Sequence, residues 1–360
     1  MPNAMDQTAP TPADLGYSMP AEWERHEATW LGWPRHPTDW PGKLDTIRWV
    51  YGEIVRKIVP GEDVRLLVAS AAEGRLARRR VSAAGAALGR VRLVHHRTNR
   101  GWTRDSGPIF VRRPGRPAET AIVHCHFNGW AKYADWARDR RVPETAARLL
   151  AKRLFRARVG RRPFVLEGGG IDVNGRGTLL TTEECYLSRR TQVRNPGLGR
   201  KGFETAVRAW LGATNVFWLG RGVTGDDTHG HVDDICRFVG PRTIVLVRET
   251  RRADVNHRPL AENWERIRDL RLEDGSKPEV VALPMPAPLF HDGVRLPASY
   301  ANFYVANAAV LVPTFNDPND RVALGILAEL FPKRAVVGIH SVDLVLGFGT
   351  LHCLTQQQPA

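Results

Sequence analysis

This sequence predicts an α/β fold of five repeated units set in a ring, and three observations predict it. Short apolar runs of strand length alternate with amphipathic stretches of helical length along the chain. No linker-like segment interrupts that alternation, so residues 17–360 read as one domain. A polar turn followed by a pair of strand-like runs recurs at similar spacing.

The elements follow in order. Residues 1–16 are polar and Pro/Ala-rich and are expected to fray. Residues 64–68 and 91–94 read as buried strands on either side of an Ala/Arg-rich helix over 71–88. Helical spacing continues at 144–158, 203–211 and 258–271, with strands expected at 121–123, 178–181, 243–247 and 309–313. The repeated unit is anchored at His26, Asp105, Glu167, His231 and Asn302, which lie 79, 62, 64 and 71 residues apart. Each anchor is a polar residue expected at the same point of a strand, so a ring of such units would gather them about one axis.

Composition narrows the function. The chain carries 52 Lys+Arg against 38 Asp+Glu, a formal charge of +14, which first suggests a nucleic-acid partner. The cations are nearly all arginine and are spread along the whole length, however, and the dense runs at 75–80 and 153–158 read as solvated helix faces. The tryptophans cluster at 23–49 without a platform pattern, so no nucleic acid is expected. No apolar run approaches the ~20 residues that span a bilayer. The first residues lack a basic flank and an apolar stretch, so the cytoplasm is the expected compartment. The sequence leaves association with further copies of itself open. Cys125, Cys185, Cys236 and Cys353 form no Cys-x-x-Cys pair, which argues against a disulfide framework or structural zinc.

Cys353 has the most suggestive surroundings, because Gly347 and Gly349 permit unusual backbone angles just before it. A thiol attacks as thiolate, and a cation bound beside the sulfur would favour ionisation. The segment His229-Gly230-His231-Val232-Asp233 allows two readings. As a strand it would point His229, His231 and Asp233 to one face, as a metal site needs. Alternatively, His231 is a general acid/base beside a carboxylate that binds a cation. Asp105 follows Trp102 by three residues, and an indole can pack on a planar cation. Glu167 heads a Gly-Gly-Gly turn where backbone can approach a ligand closely.

Five motifs in order carry a resemblance: Trp102-x-x-Asp105-x-Gly-Pro, Glu167-Gly-Gly, Thr228-His-Gly-His231-Val-Asp233, Ser299-Tyr-Ala-Asn302 and Gly347-x-Gly-x-x-His-Cys353-x-Thr-Gln-Gln. Together they resemble the agmatine deiminase family, relatives of the bacterial peptidylarginine deiminases. The resemblance implies the five-bladed α/β-propeller of the guanidine-modifying, or pentein, enzymes. It also implies hydrolysis of agmatine to N-carbamoylputrescine and ammonia in putrescine biosynthesis, with no metal and no cofactor. By motif, Cys353 is the nucleophile, His231 the acid/base, and Asp105 and Asp233 the carboxylates that grip the guanidinium. Glu167 would orient His231, Trp102 would line the pocket, and Asn302, Asp227 and His229 would contact substrate, with Asp226 and Asp227 holding the distal amine. Phe348 and Thr350 replace the second glycine and the asparagine of the family's usual Gly-Gly-Gly-Asn run, and His229 stands where many members have Asp or Asn. The nearest alternatives are another guanidine, such as a peptide arginine, or a metal-dependent hydrolase built on His229, His231 and Asp233.

The chemistry suits these residue types. A guanidinium stays protonated at neutral pH, and two carboxylates can each take a fork of its N–H donors. One such pair at ~4 Å and an effective dielectric near 20 attracts by about 4 kcal/mol before desolvation. A +14 chain repels a dication at long range, so the pocket is expected to be a local acidic well.

Overall fold

The computed structural model describes residues 9–115 and 118–360. Residues 1–8 of the segment expected to fray lie outside the described residues, and Ala13–Leu15 form one 3-10 turn. Among the described residues, five sheets of three or four strands carry the chain. Four share one wiring, an antiparallel pair followed by a third strand parallel to the second. Ile109–Arg113 pairs with Glu119–His124 and then Leu154–Arg156. Asp172–Val173, Thr178–Thr182 and Asn215–Leu219 repeat the pattern, as do Cys236–Gly240, Thr243–Arg248 and Glu279–Pro284. Tyr304–Val305, Ala309–Thr314 and Ala335–His340 complete the set. Parallel neighbours cannot be joined by a tight turn, so each return passes through a helix: Val142–Leu150, Arg200–Leu211, His257–Ile267 or Asn319–Leu330.

The fifth sheet joins the two ends of the chain. Thr355–Pro359 lies antiparallel to His26–Gly32, which runs parallel to Asp63–Val68 and, through it, Val91–His95. The C-terminal strand therefore fills the first position of this unit, and His26 is not its anchor. His26 is a buried structural residue, its ring nitrogens 3.0 Å from Glu62 Oε1 and 2.6 Å from the Glu22 carbonyl. The turn that carries Cys353 takes the fifth place instead.

The helices pack by ordinary amphipathic spacing. Leu44–Ile58 buries Ile47, Val50, Tyr51, Ile54, Val55 and Ile58 on one face, each side chain contributing about 1.5–3 kcal/mol. Two expected helices are shorter than the sequence pattern suggests. The first runs Ala71–Ala83, capped by Ser70, and gives way to Gly85 in the left-handed region. The second stops at Leu150 because Ala151 adopts φ 50°. The basic run at 153–158 is thus no helix face. Leu154–Arg156 is a strand that buries Phe155 between exposed arginine and half-buried leucine.

The anchors also sit differently from expectation. They lie on, or immediately before, short helical turns that precede the first strand of each sheet: Asp105 within Thr103–Ser106, Glu167 before Gly168–Gly170, His231 before Val232–Asp234, and Cys353 within Leu351–Leu354. Asn302 occupies a non-helical turn at the matching place before Tyr304–Val305. No helix of the described residues is long and apolar enough to cross a membrane.

Candidate active site

The turns ahead of the five sheets converge on Cys353. Its Sγ lies 3.1 Å from Asn302 Nδ2 and 3.7 Å from Asp233 Oδ2. Asn302 clamps the turn from its other end, where Oδ1 accepts from Thr350 Oγ1 at 2.8 Å and His352 N at 3.1 Å. Asn302 also donates to Asp234 Oδ1 at 2.9 Å. At Gly349 a Cβ would stand 2.9 Å from Trp102 Cζ3 and 3.2 Å from the Cys353 sulfur, so no side chain fits there. Phe348 is held at φ 62°, a conformation that disfavours a bulky residue, and its side chain lines the cavity.

His231 is fully buried. Its Nε2 lies 3.3 Å from Glu167 Oε2, and its Nδ1 lies 3.8 Å from Asp105 Oδ1 and 3.9 Å from Asp233 Oδ1. The loop leading to it is fixed by Asp226, which accepts from the backbone N–H groups of Thr228, Gly230 and His231 at 2.7–2.8 Å. Asp226 therefore caps a loop, a role the sequence did not suggest. His229 and Gly230 both take positive φ, which turns the chain out of any strand. His229 faces Glu184 at 3.8 Å and does not line the cavity, so His229, His231 and Asp233 do not share one face.

Asp105 accepts from Gly169 N and Trp130 Nε1, each at 2.9 Å. Gly169 has to be glycine, since a Cβ there would meet His231 Nδ1 at 2.6 Å and carboxylate oxygens of Asp105 and Asp233 at 2.9 Å. Glu167 is gripped by the buried Arg194, whose Nε reaches its two oxygens at 3.1 and 3.2 Å. Two buried atoms, His231 Nδ1 and Asp233 Oδ1, have no hydrogen-bond partner among the described residues. Trp33 Nε1, Arg35 Nε and Gln356 Oε1 likewise lack a hydrogen-bond partner elsewhere, and what sets the His231 and Asp233 atoms apart is their place beside Cys353 and Asp105, where an unpaired polar atom costs about 1–3 kcal/mol.

A further layer, unseen in the sequence, holds Asp233. His352 lies between two carboxylates, Nδ1 2.7 Å from Asp233 Oδ2 and Nε2 2.8 Å from Glu22 Oε2. Glu22 also accepts from Arg104 and Arg237, both at 2.9 Å. Burial opposes ionisation of Glu22, but Arg237, His352 and Arg104 hold its pKa well below the ordinary value. Burial likewise opposes ionisation of Asp233, and the contact with His352 brings its pKa below normal. For His231 burial disfavours the imidazolium, yet Asp105 and Glu167 raise its pKa well above normal. Burial, then Asp233, Asp234 and Asp105, push the Cys353 thiol well up. Without a cation beside it, this sulfur is a neutral thiol.

The cavity above these groups has a volume of about 290 Å³. Asp105 and Cys353 lie at its deep end, Trp102, Trp130 and Phe348 line it, and Asp39, Arg100, Tyr133 and Asp227 stand toward the mouth. Trp102 packs on Trp40 at 5.3 Å between centroids and donates to Asp39 at 3.1 Å. Among the described residues, Glu167, Cys185 and His231 bring three potential metal-ligand atoms within 4.8 Å of one another. The guanidinium of Arg194 already supplies positive charge to Glu167 there. Of the residues the sequence proposed, Cys353, His231, Asp105, Asp233, Glu167, Trp102, Asn302 and Asp227 come together, and His229 does not. Glu22, Asp39, Arg100, Arg104, Trp130, Arg194, Arg237 and His352 were missed. Arg104 beside Asp105, and His352, which stands in the last motif next to Cys353, carried the local hints.

Comparison with known proteins gives concordant results. The model of the Porphyromonas-type peptidyl-arginine deiminase family matches residues 18–359. An agmatine deiminase of Pseudomonas aeruginosa is 35% identical over 99% of both chains. The solved agmatine deiminase of Enterococcus faecalis superposes with a TM-score of 0.89 at 28% identity, covering 99% of each chain. A cysteine-to-serine variant of C. jejuni agmatine deiminase, solved with substrate bound, gives a TM-score of 0.84 at 26% identity over 96% of each chain.

Proposed function

Since the chain belongs to the Porphyromonas-type peptidyl-arginine deiminase family, we propose that it is an agmatine deiminase, hydrolysing agmatine to N-carbamoylputrescine and ammonia. One observation carries the reading. The Cys353 thiol and the Asp105 carboxylate border one small cavity, buried Asp233 and His231 lie against them, and Asp233 Oδ1 and His231 Nδ1 lack a partner among the described residues. A guanidinium supplies what Asp233 Oδ1 lacks, because its N–H groups would donate to that oxygen and to Asp105, and Nδ1 of His231 is left for proton transfer.

In this mechanism the cation's arrival lowers the thiol pKa by offsetting the three carboxylates that raise it. Cys353 loses its proton to solvent, and the thiolate sulfur adds to the guanidinium carbon as the C=N π electrons move onto nitrogen. His231, cationic between Asp105 and Glu167, gives its proton to the departing nitrogen, and ammonia leaves. The amidino-thioether that remains is attacked by water as the now neutral His231 takes the water's proton, and the C–S bond breaks to release the ureido product. Glu167 keeps the ring aligned and is itself kept anionic by Arg194.

The small cavity and its aromatic lining favour a free alkylguanidine over an arginine within a peptide. Four sheets of one wiring and a fifth that begins the same way with the C-terminal strand support a five-bladed propeller over residues 17–360, and the setting proposed is putrescine biosynthesis in the cytoplasm. The test is ammonia release from agmatine with iodoacetamide or EDTA present. Loss with the alkylating agent and survival in the chelator are expected, and a quenched reaction should show the amidino adduct on Cys353 by mass spectrometry. Activity that survives complete alkylation of Cys353 would sink the mechanism.

A further inference from the structure

Two carboxylates at the cavity mouth are paired with cations in different ways. Asp39 is buried; Arg100 and Trp102 donate to it, and Arg100 also binds Asp135 at 3.2 Å and packs on Tyr133 at 4.0 Å. That arginine is locked. Asp227 is paired with Lys132 Nζ, whose side chain is 41% exposed, and accepts from Tyr133 OH at 2.5 Å. Among the described residues, the only other group against the ammonium is the Tyr133 ring at 5.3 Å. Lys132 follows two consecutive non-glycine residues at positive φ, Trp130 at 57° and Ala131 at 52°. Gln192 Nε2 ties this loop to the other side of the mouth, donating to the carbonyls of Trp130 and Asp227 at 3.1 Å. The backbone is thus fixed in an uncommon shape that brings a flexible primary ammonium onto a carboxylate of the cavity.

We propose that Lys132 is a built-in stand-in for the distal ammonium of the substrate. A guanidine that carries a terminal amine displaces Lys132 from Asp227, whereas one lacking that amine leaves the Lys132–Asp227 pair in place. The exchange replaces one ammonium by another on the same carboxylate, so the distal amine adds less to affinity than a free Asp227 would allow. Lys132 thereby sets how strongly the site prefers a dication over a monocation. This rests on the agmatine reading above and deepens it.

The experiment compares KM for agmatine and n-butylguanidine, its counterpart without the amine, in wild type, Lys132→Met, Lys132→Gln, Lys132→Arg and Asp227→Asn. Thermal unfolding of each variant checks that it is folded. The KM ratio of butylguanidine to agmatine should rise about two- to fivefold in Lys132→Met and Lys132→Gln, the scale of a part-exposed ion pair. It should stay near the wild-type value in Lys132→Arg and fall in Asp227→Asn. A ratio unmoved or lowered by removing the lysine overturns the stand-in while leaving the enzyme assignment intact. Ammonia from neither guanidine in wild type overturns both.

Discussion

At the deep end of the cavity Asp105 accepts from Gly169 and Trp130, and Glu167 is gripped by Arg194. At the mouth Asp227 is held by a half-exposed lysine and a tyrosine hydroxyl. The deep groups are buried, and their donors are backbone or rigid side chains that cannot move aside. Asp227 and Lys132 at the mouth reach solvent, and that pair can be exchanged, whereas Asp39 there is buried and fixed. The difference follows from dielectric. Buried charges left unpaired are costly, so the protein fixes them permanently, while exposed pairs are worth little and can be traded for a ligand. Chemistry is therefore assigned to the rigid end and selection to the adaptable one.

Breaking the deep end should have the larger consequences. Cys353→Ser is expected to lower kcat by on the order of 10⁴-fold or more, as loss of a nucleophile does elsewhere, measured as ammonia release. Arg194→Gln leaves buried Glu167 with His231 as its remaining cation and should cost up to about 3–5 kcal/mol of stability, seen in denaturant unfolding. Glu22→Gln should act similarly through Arg104, Arg237 and His352. Because the Glu22 pKa is depressed in the folded chain, its stabilisation is present above the ordinary carboxylate range and is lost as pH falls through the folded value. The stability gap between wild type and Glu22→Gln should therefore narrow in acid. Asp233→Asn removes one grip on the guanidinium and should reduce kcat/KM by roughly 10²-fold, the scale of a hydrogen bond to a charged group.

A gentler test concerns the thiol. Its pKa is raised, so alkylation of Cys353 by iodoacetamide should keep accelerating above the ~8.5 where an ordinary cysteine is half ionised. A plateau below that pH would contradict the electrostatics described for the deep end. Smallest of all, Tyr133→Phe at the mouth should shift KM for agmatine by about fivefold or less, one ordinary hydrogen bond. A larger effect there than at Asp233 would erase the contrast between the two ends.

Much of the architecture could be read beforehand, as recurring turns at 105, 167, 231 and 302 followed by strand pairs. What misled was the position of the anchors on strands and the choice of His26 as the fifth. Helical turns of three or four residues leave no periodicity to detect, and His26–Gly32 pairs with Thr355–Pro359, more than 300 residues away in sequence. His229 was drawn into the site by an alternation that holds only for extended backbone, which its φ of 66° denies.

From the sequence alone came the groups proposed to react: a cysteine behind a glycine-broken loop, a histidine two residues before an aspartate, and two acids heading tight turns. These are local patterns, because the backbone freedom each group needs is written in its immediate neighbours. Only the tertiary structure decided what keeps them charged. Glu22 meets His352 across 330 residues and Arg194 meets Glu167 across 27, and in a chain so rich in arginine no spacing singles out the buried ones. Burial and long-range pairing set those charges, and both come into existence only when the sheets close around them.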